Sequence, residues 1–168
     1  MTAKASGNSH AAESIEIGVI SDTHGLLRPE ALRALAGVSL ILHAGDVCSE
    51  EILRELGSIA PVNCVRGNCD NGAFGEGLPL VHTVELGGVW IYMHHGHHTL
   101  AIDPFRSGFG VIISGHTHVP RIAEGNGVLW LNPGSAGPPR FHLPVTLARL
   151  TICEGKAEAQ LVELVGRA

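Results

Sequence analysis

The chain has 168 residues, enough for one domain with a complete hydrophobic core and too few to demand two. Its 45% hydrophobic and 16% charged residues exclude the disordered and collagen-like classes. A formal charge of −5, with no Lys/Arg-rich block, argues against a nucleic-acid surface. It does not argue against small anionic substrates, because bound cations would reverse the local sign.

The segment MTAKASGNSHAAES is small, polar and without periodicity. It lacks the apolar core of a signal peptide, so residues 1–14 read as a disordered leader before a single domain over 15–168. No apolar run is long enough to span a bilayer. Cys48, Cys64, Cys69 and Cys153 form no CxxC pair and are few for a disulfide scaffold. They read as reduced thiols of a cytoplasmic protein.

Ordered structure is expected from Ile15. The β-branched run IEIGVIS predicts a strand that delivers Asp22. RPEALRALAG predicts a short helix, with Pro29 near its first position and Gly37 as its stop. SLILHAGD reads as a buried strand ending at Asp46. Ser49 is expected to cap the next helix, whose first turn holds Glu50 and Glu51 and which Gly57 ends. PVNCVRGN predicts a third strand. This βαβαβ order implies a parallel sheet with helices on its faces.

The second half is strand-rich. LVHTVELGGVWIYMHHG predicts a hairpin turning at Gly87-Gly88, and FGVIISGHTH a buried strand running into a polar loop. RIAEGNGVLWLN predicts a hairpin around Gly125-Asn126-Gly127, and residues 145–165 two strands around Glu154-Gly155. Long helical segments are scarce, which points to a mixed sheet or a second sheet packed on the first.

The residues able to do chemistry recur at strand ends. Asp22-Thr23-His24 follows the first strand, Gly45-Asp46 the second and Gly67-Asn68-Cys69-Asp70 the third. His95-Gly96-His97 and Gly115-His116-Thr117-His118 end two later strands. Ligands of α/β sheets gather beyond the carboxyl ends of strands, so seven donors are expected in one cleft. Each motif alone is a common loop feature; the joint pattern is not. Carboxylate, imidazole and amide oxygen suit Mn²⁺, Fe²⁺ or Zn²⁺ better than a soft thiolate site would. Seven donors exceed what one tetrahedral ion accepts but fit two ions sharing a carboxylate, the usual apparatus for cleaving phosphate esters.

Taken together with Asn132-Pro133-Gly134-Ser135, these motifs resemble the calcineurin-like metallophosphoesterases. Within them the chain looks most like the small YfcE-type phosphodiesterases, to which the retromer subunit Vps29 is similar in fold. The resemblance covers roughly residues 15–165. It implies an α/β fold: a two-sheet β-sandwich flanked by helices, in four layers α/β/β/α. It also implies that Asp22, His24 and His118 hold one divalent ion and that Asn68, His95 and His116 hold another. Asp46 would bridge them, and a hydroxide held between the ions would attack phosphorus in line with the leaving group. Mn²⁺ is the first expectation, with iron, zinc, nickel or magnesium as alternatives. The implied substrate is a small phosphate ester, no membrane is involved, and association with further copies of the chain stays open.

Some assignments rest on local physics. His94 and His95 are neighbours on a strand and point to opposite faces, so only one can reach the cleft. His95 matches the His-Gly position and is the expected ligand. Asp46, Asn68 and His97 are the candidate catalytic residues, with a solvated loop histidine as the alternative for His97. His43 is expected to be a hydrogen-bonded structural histidine, and His10, His82, His98 and His142 to have no part in the site. The NPGS turn either supports a ligand histidine or is a plain turn. Arg66 and Arg140 either meet substrate anions or, the simpler expectation, form surface ion pairs.

Cys69 stands where many relatives place the histidine that protonates the leaving oxygen. With an ordinary pKa of about 8.5 a cysteine replaces it poorly, so Cys69 reads as a packing residue. Aryl esters would then be favoured over alkyl esters unless His97 or water supplies the proton. Asp70 is expected to orient its loop rather than bind metal. Residues 97–110 contain Pro104 where relatives often place a helix, so this rim is expected to be short or irregular. Two readings compete with a diesterase: a phosphomonoesterase, and a Vps29-like interaction scaffold with a vestigial site. The complete ligand set favours an enzyme over a scaffold.

Overall fold

The computed structural model describes residues 14–140 and 142–165. The expected leader, apart from Ser14, and with it His10, lies outside these residues.

The first half alternates as its periodicity requires. It runs β1 (Ile15–Ile20), α1 (Pro29–Ala34), β2 (Leu40–His43), α2 (Glu50–Leu56), β3 (Val62–Cys64) and α3 (Gly72–Glu76). Five strands follow: β4 (Val81–Leu86), β5 (Val89–His94), β6 (Val111–Ile113), β7 (Arg121–Gly125) and β8 (Val128–Asn132). The chain then closes with β9 (Thr146–Cys153) and β10 (Lys156–Glu163). The three expected hairpins are present. Gly87-Gly88, Asn126-Gly127 and Glu154-Gly155 each have both turn residues at positive φ, as a type I′ turn requires.

The strands form two five-stranded sheets, ordered β10-β9-β1-β2-β3 and β4-β5-β6-β8-β7. β1, β2 and β3 run parallel, with β9 antiparallel to β1. In the second sheet β5, β6 and β8 run parallel, and the hairpin partners β4 and β7 lie outermost. The first sheet is therefore mixed because the last hairpin returns to β1, which local sequence could not reveal.

Strand alternation divides the apolar residues between layers. Ile17, Val19, Leu42, Ile91, Met93, Ile113, Leu131 and Leu150 fill the space between the sheets. Truncating a fully buried member such as Leu42 to alanine would cost about 2–5 kcal/mol. The outer face of the first sheet is covered by Ala31 and Leu35 of α1, Ile52 and Leu56 of α2, and Phe74 of α3. Over the second sheet, Tyr92, Ile112 and Val128 are covered by Leu100, Ile102 and Phe109. The segment 98–110 carries no helix, so the fourth layer is thin on this side and Trp90 remains 48% exposed.

The structure corrects several local expectations. Ser49 is the N-cap residue of α2 but makes no side-chain capping bond. α1 ends at Ala34, with Leu35 as its C-cap, before Gly37 is reached. β3 is the edge strand and pairs only over Val62–Cys64, because the chain then leaves the sheet for the Gly67–Asp70 loop. The five-residue α3, built from GAFGE, was not legible as a helix; two glycines in five residues hide it.

Candidate metal centre

The carboxyl ends of β1, β2, β3, β5 and β6 converge on one pole, and their loops are stitched together by backbone bonds. Asp22 N–H donates to Gly45 O at 3.0 Å, His24 N–H to Asp46 O at 2.9 Å and Gly115 N–H to His95 O at 3.0 Å. Asp22, His24, Asp46, His116 and His118 all have φ between 46° and 67°. Non-glycine residues seldom occupy this region, and clusters of them mark functional sites. Gly67 must be glycine for a different reason: a Cβ there would run into the Asp46 side chain and backbone.

All seven candidate ligands meet at this pole. Asp22 Oδ1 lies 3.2 Å from His118 Nε2 and 3.8 Å from His24 Nε2, and the two imidazole nitrogens are 3.3 Å apart. On the other side, Asn68 Oδ1 lies 3.2 Å from His95 Nε2 and 2.9 Å from His116 Nδ1. Asp46 Oδ2 stands between the groups, 3.4 Å from His95 Nε2 and 3.8 Å from His24 Nε2. Donors bound at about 2.0–2.1 Å to one ion sit about 3.0–3.4 Å apart, close to the spacings in both groups, with only Asp22 to His24 wider at 3.8 Å. Asp22 Oδ1 is buried and accepts no hydrogen bond, an orphan that a cation would satisfy. The donor set and its geometry fit divalent metal binding.

The surrounding polar groups fix these donors. Asp22 Oδ2 accepts from Ser21 Oγ at 2.6 Å and from His116 N–H at 3.1 Å, leaving Oδ1 for the cleft. His95 Nδ1 donates to Ala44 O at 2.7 Å, which turns the lone pair of Nε2 toward the site. Asp70 accepts backbone N–H groups from Asp46, Gly67 and Cys48, so it orients loops as expected. Arg66 Nε donates to Asp70 O at 3.2 Å; it closes the loop rather than making the expected surface ion pair. The NPGS turn is a support. Asn132 Nδ2 donates to Gly115 O at 2.8 Å and to Thr117 Oγ1 at 3.1 Å, and Ser135 Oγ donates to Asp22 O. The part of Ser21 is not legible in the sequence, since a lone serine before an aspartate carries no signal.

Burial opposes the charge of Asp46, but the His95 imidazole beside it and the hydrogen bond from the Cys69 N–H hold its carboxyl well below the usual range. Asp22 behaves alike: burial is outweighed by the His118 imidazole beside it and by the bond from Ser21. For His95, burial is outweighed by the nearby Asp46 carboxylate and the bond to Ala44 O, which raise its pKa. The site thus holds two carboxylates against desolvation, which a divalent charge would complete.

His43 is fully buried. Gly45 N–H donates to its Nδ1 at 3.2 Å, and its Nε2 donates to Thr23 Oγ1 at 3.1 Å, so it is the structural histidine expected. His94 points outward, 5.7 Å from the Tyr92 ring. The His97 ring centroid lies 5.3 Å from that of His95, 6.2 Å from that of His116 and 4.0 Å from that of exposed His98. Its buried Nδ1 has no hydrogen-bond partner. Arg140 is exposed, and after burial its charge is the next largest influence lowering the pKa of His24. Cys69 is half-buried at the cleft rather than packed in a core cluster, which corrects the expectation from sequence. A cavity of about 450 Å³ at the opposite pole, lined by Trp90, Gly127, Gly155 and Lys156, contains no histidine, cysteine or aspartate.

Comparison with known proteins places the chain in a family. The calcineurin-like phosphoesterase superfamily domain matches residues 15–155, and the chain belongs to that family. It is 40% identical over 158 residues to a protein of Methanothermobacter thermautotrophicus named "Probable metallophosphoesterase", covering 87% of this chain and 91% of that one. It is 30% identical over 139 residues to a phosphodiesterase of Methanocaldococcus jannaschii, covering 71% and 83% of the two chains. Among solved structures, Vacuolar Protein Sorting 29 from Cryptosporidium parvum superposes with a TM-score of 0.72 at 24% identity, covering 89% and 97%, a likeness of fold. No helix among the described residues is long and apolar enough to cross a membrane.

Proposed function

We propose that the protein is a phosphodiesterase that works with two divalent metal ions, Mn²⁺ foremost. Iron, zinc, nickel and magnesium suit the same oxygen and nitrogen donors. The observation that carries this reading is the pair of donor groups sharing Asp46 Oδ2, with Asp22 Oδ1 of the first group buried and unpartnered. Asp22, His24 and His118 would hold one ion, Asn68, His95 and His116 the other, and Asp46 both. When bound, such ions lower the pKa of a coordinated water and neutralise charge building on the phosphoryl oxygens.

The chain supplies the rest. Asp70 and Asn132 hold the loops that aim the donors. His97, beside His95 and His116, is positioned to give a proton to the leaving oxygen or to bind a phosphoryl oxygen, a role Cys69 fills poorly with burial raising its thiol pKa. Arg140 adds positive charge near His24, suited to an anionic substrate. The diester preference is supported by the relative named a phosphodiesterase. A Vps29-like scaffold has no need for seven intact donors with their supporting bonds.

The test is hydrolysis of bis-p-nitrophenyl phosphate and p-nitrophenyl phosphate by chelated and Mn²⁺-reconstituted protein. Metal-dependent cleavage with the diester preferred supports the proposal. Cleavage of the monoester alone replaces it with a monoesterase, and no cleavage together with no bound metal leaves the scaffold.

A further inference from the structure

Cys69 sits between the two donor groups, and its main chain is held on both sides. Its N–H donates to Asp46 Oδ1 at 2.7 Å, while its carbonyl accepts from Asn71 Nδ2 at 3.1 Å and from Cys48 Sγ at 3.6 Å. Its Sγ lies within 4.8 Å of a His24 ring nitrogen and an Asp46 carboxylate oxygen. Asn68 Nδ2 donates to that sulfur at 3.4 Å.

This last bond has a consequence for the second donor group. With Nδ2 on the sulfur, Asn68 Oδ1 faces the other way, 2.9 Å from His116 Nδ1 and 3.2 Å from His95 Nε2. The terminal torsion of an asparagine amide is broad and nearly two-fold, so little intrinsic energy separates this orientation from its flip. The flip matters chemically, since the amide nitrogen has two donor hydrogens and no lone pair for a cation. Asn68 is itself exposed, so core packing does not fix its amide.

We propose that Cys69 is a positioning residue whose sulfur selects the Asn68 orientation that presents Oδ1 to a metal ion, and so sets the affinity of the second ion. This rests on the two-ion reading above. Cys69 then acts through its sulfur as the acceptor that holds the Asn68 amide nitrogen away from the ion. The cysteine in this loop therefore tunes metal occupancy.

Calorimetric titration of chelated protein with Mn²⁺ tests this on the wild type, Cys69→Ser, Cys69→Ala and, in an Asn68→Asp background, Cys69→Ala again. Partners that orient a ligand are typically worth about 10–100-fold in metal affinity. Cys69→Ala should weaken one of the two sites by that order while leaving the other unchanged, and Cys69→Ser should retain both. A carboxylate presents oxygen in either orientation, so in the Asn68→Asp background Cys69→Ala should change nothing. Wild-type affinity in Cys69→Ala, or an equal loss in the Asn68→Asp background, overturns the proposal. So does intense thiolate-to-metal absorption in the Co²⁺-loaded wild type, which would make Cys69 a direct ligand. A wild type that binds fewer than two ions overturns the two-ion reading itself. Thermal unfolding of each chelated variant separates these effects from loss of fold.

Discussion

Asp70 accepts the backbone N–H of Asp46 at 3.0 Å, so a loop after β3 holds in place the carboxylate after β2 that touches both donor groups. The Asp70 carboxylate also takes the N–H groups of Gly67 at 2.8 Å and Cys48 at 2.7 Å, and Asp70 is 1% exposed. Hydrogen bonds to a charged group contribute about 1.5–3 kcal/mol each, and a buried donor left without a partner costs more. Asp70→Asn turns an amide NH₂ toward one of these donors. It should cost at least about 3 kcal/mol in urea unfolding of the chelated protein, where metal binding plays no part. A loss below about 1 kcal/mol would show that the loops hold without this carboxylate.

His43 makes the metal-free fold sensitive to acid. Burial is the main cause of its pKa falling from 6.5 to about 4. Its Nδ1 accepts from Gly45 N–H, so the folded state needs the neutral ring. The unfolded chain then binds more protons between these values, and the stabilisation, complete above pH 6.5, is lost as the pH falls toward 4. Between pH 7 and pH 5 this group should withdraw about 2 kcal/mol. Comparing chelated wild type with His43→Gln isolates the effect, since the carboxylates titrate in both. The variant should be less pH-dependent by about that amount, and equal slopes would contradict the assignment.

His97 should matter according to the leaving group. Proton donation typically contributes about 10²–10⁴-fold, and a nitrophenolate hardly needs it. His97→Gln should slow an alkyl phosphodiester by about 10²-fold while changing bis-p-nitrophenyl phosphate only a few-fold. An equal effect on both, carried in KM, would make His97 a phosphoryl-binding residue instead.

The candidate donors were legible because histidine, aspartate and asparagine cluster in short loops immediately after apolar runs. His95 could be separated from His94 by strand alternation alone, and the structure sends the first to the cleft and the second outward to Tyr92. The sandwich was legible as elements but not in its pairing. The antiparallel contact of β9 with β1 joins residues more than a hundred positions apart. What stayed hidden depends on side-chain direction at such distances. Nothing local tells that Asn132 reaches Gly115 O, that Asp70 rather than Ser49 serves the entry to α2, or that Cys69 faces Asn68 rather than the core. The GAFGE helix was concealed by its own composition, since its glycines oppose the conformation that its packing against the first sheet enforces.

The most direct test of the central claim is a titration of chelated protein with Mn²⁺, reading bound metal and bis-p-nitrophenyl phosphate hydrolysis in the same samples. Two interlocked donor groups predict no activity without metal, full activity only as the second Mn²⁺ per chain is taken up, and loss of both binding and turnover in Asp46→Asn. Full activity at one ion per chain, or undiminished activity with metal removed, would contradict the account.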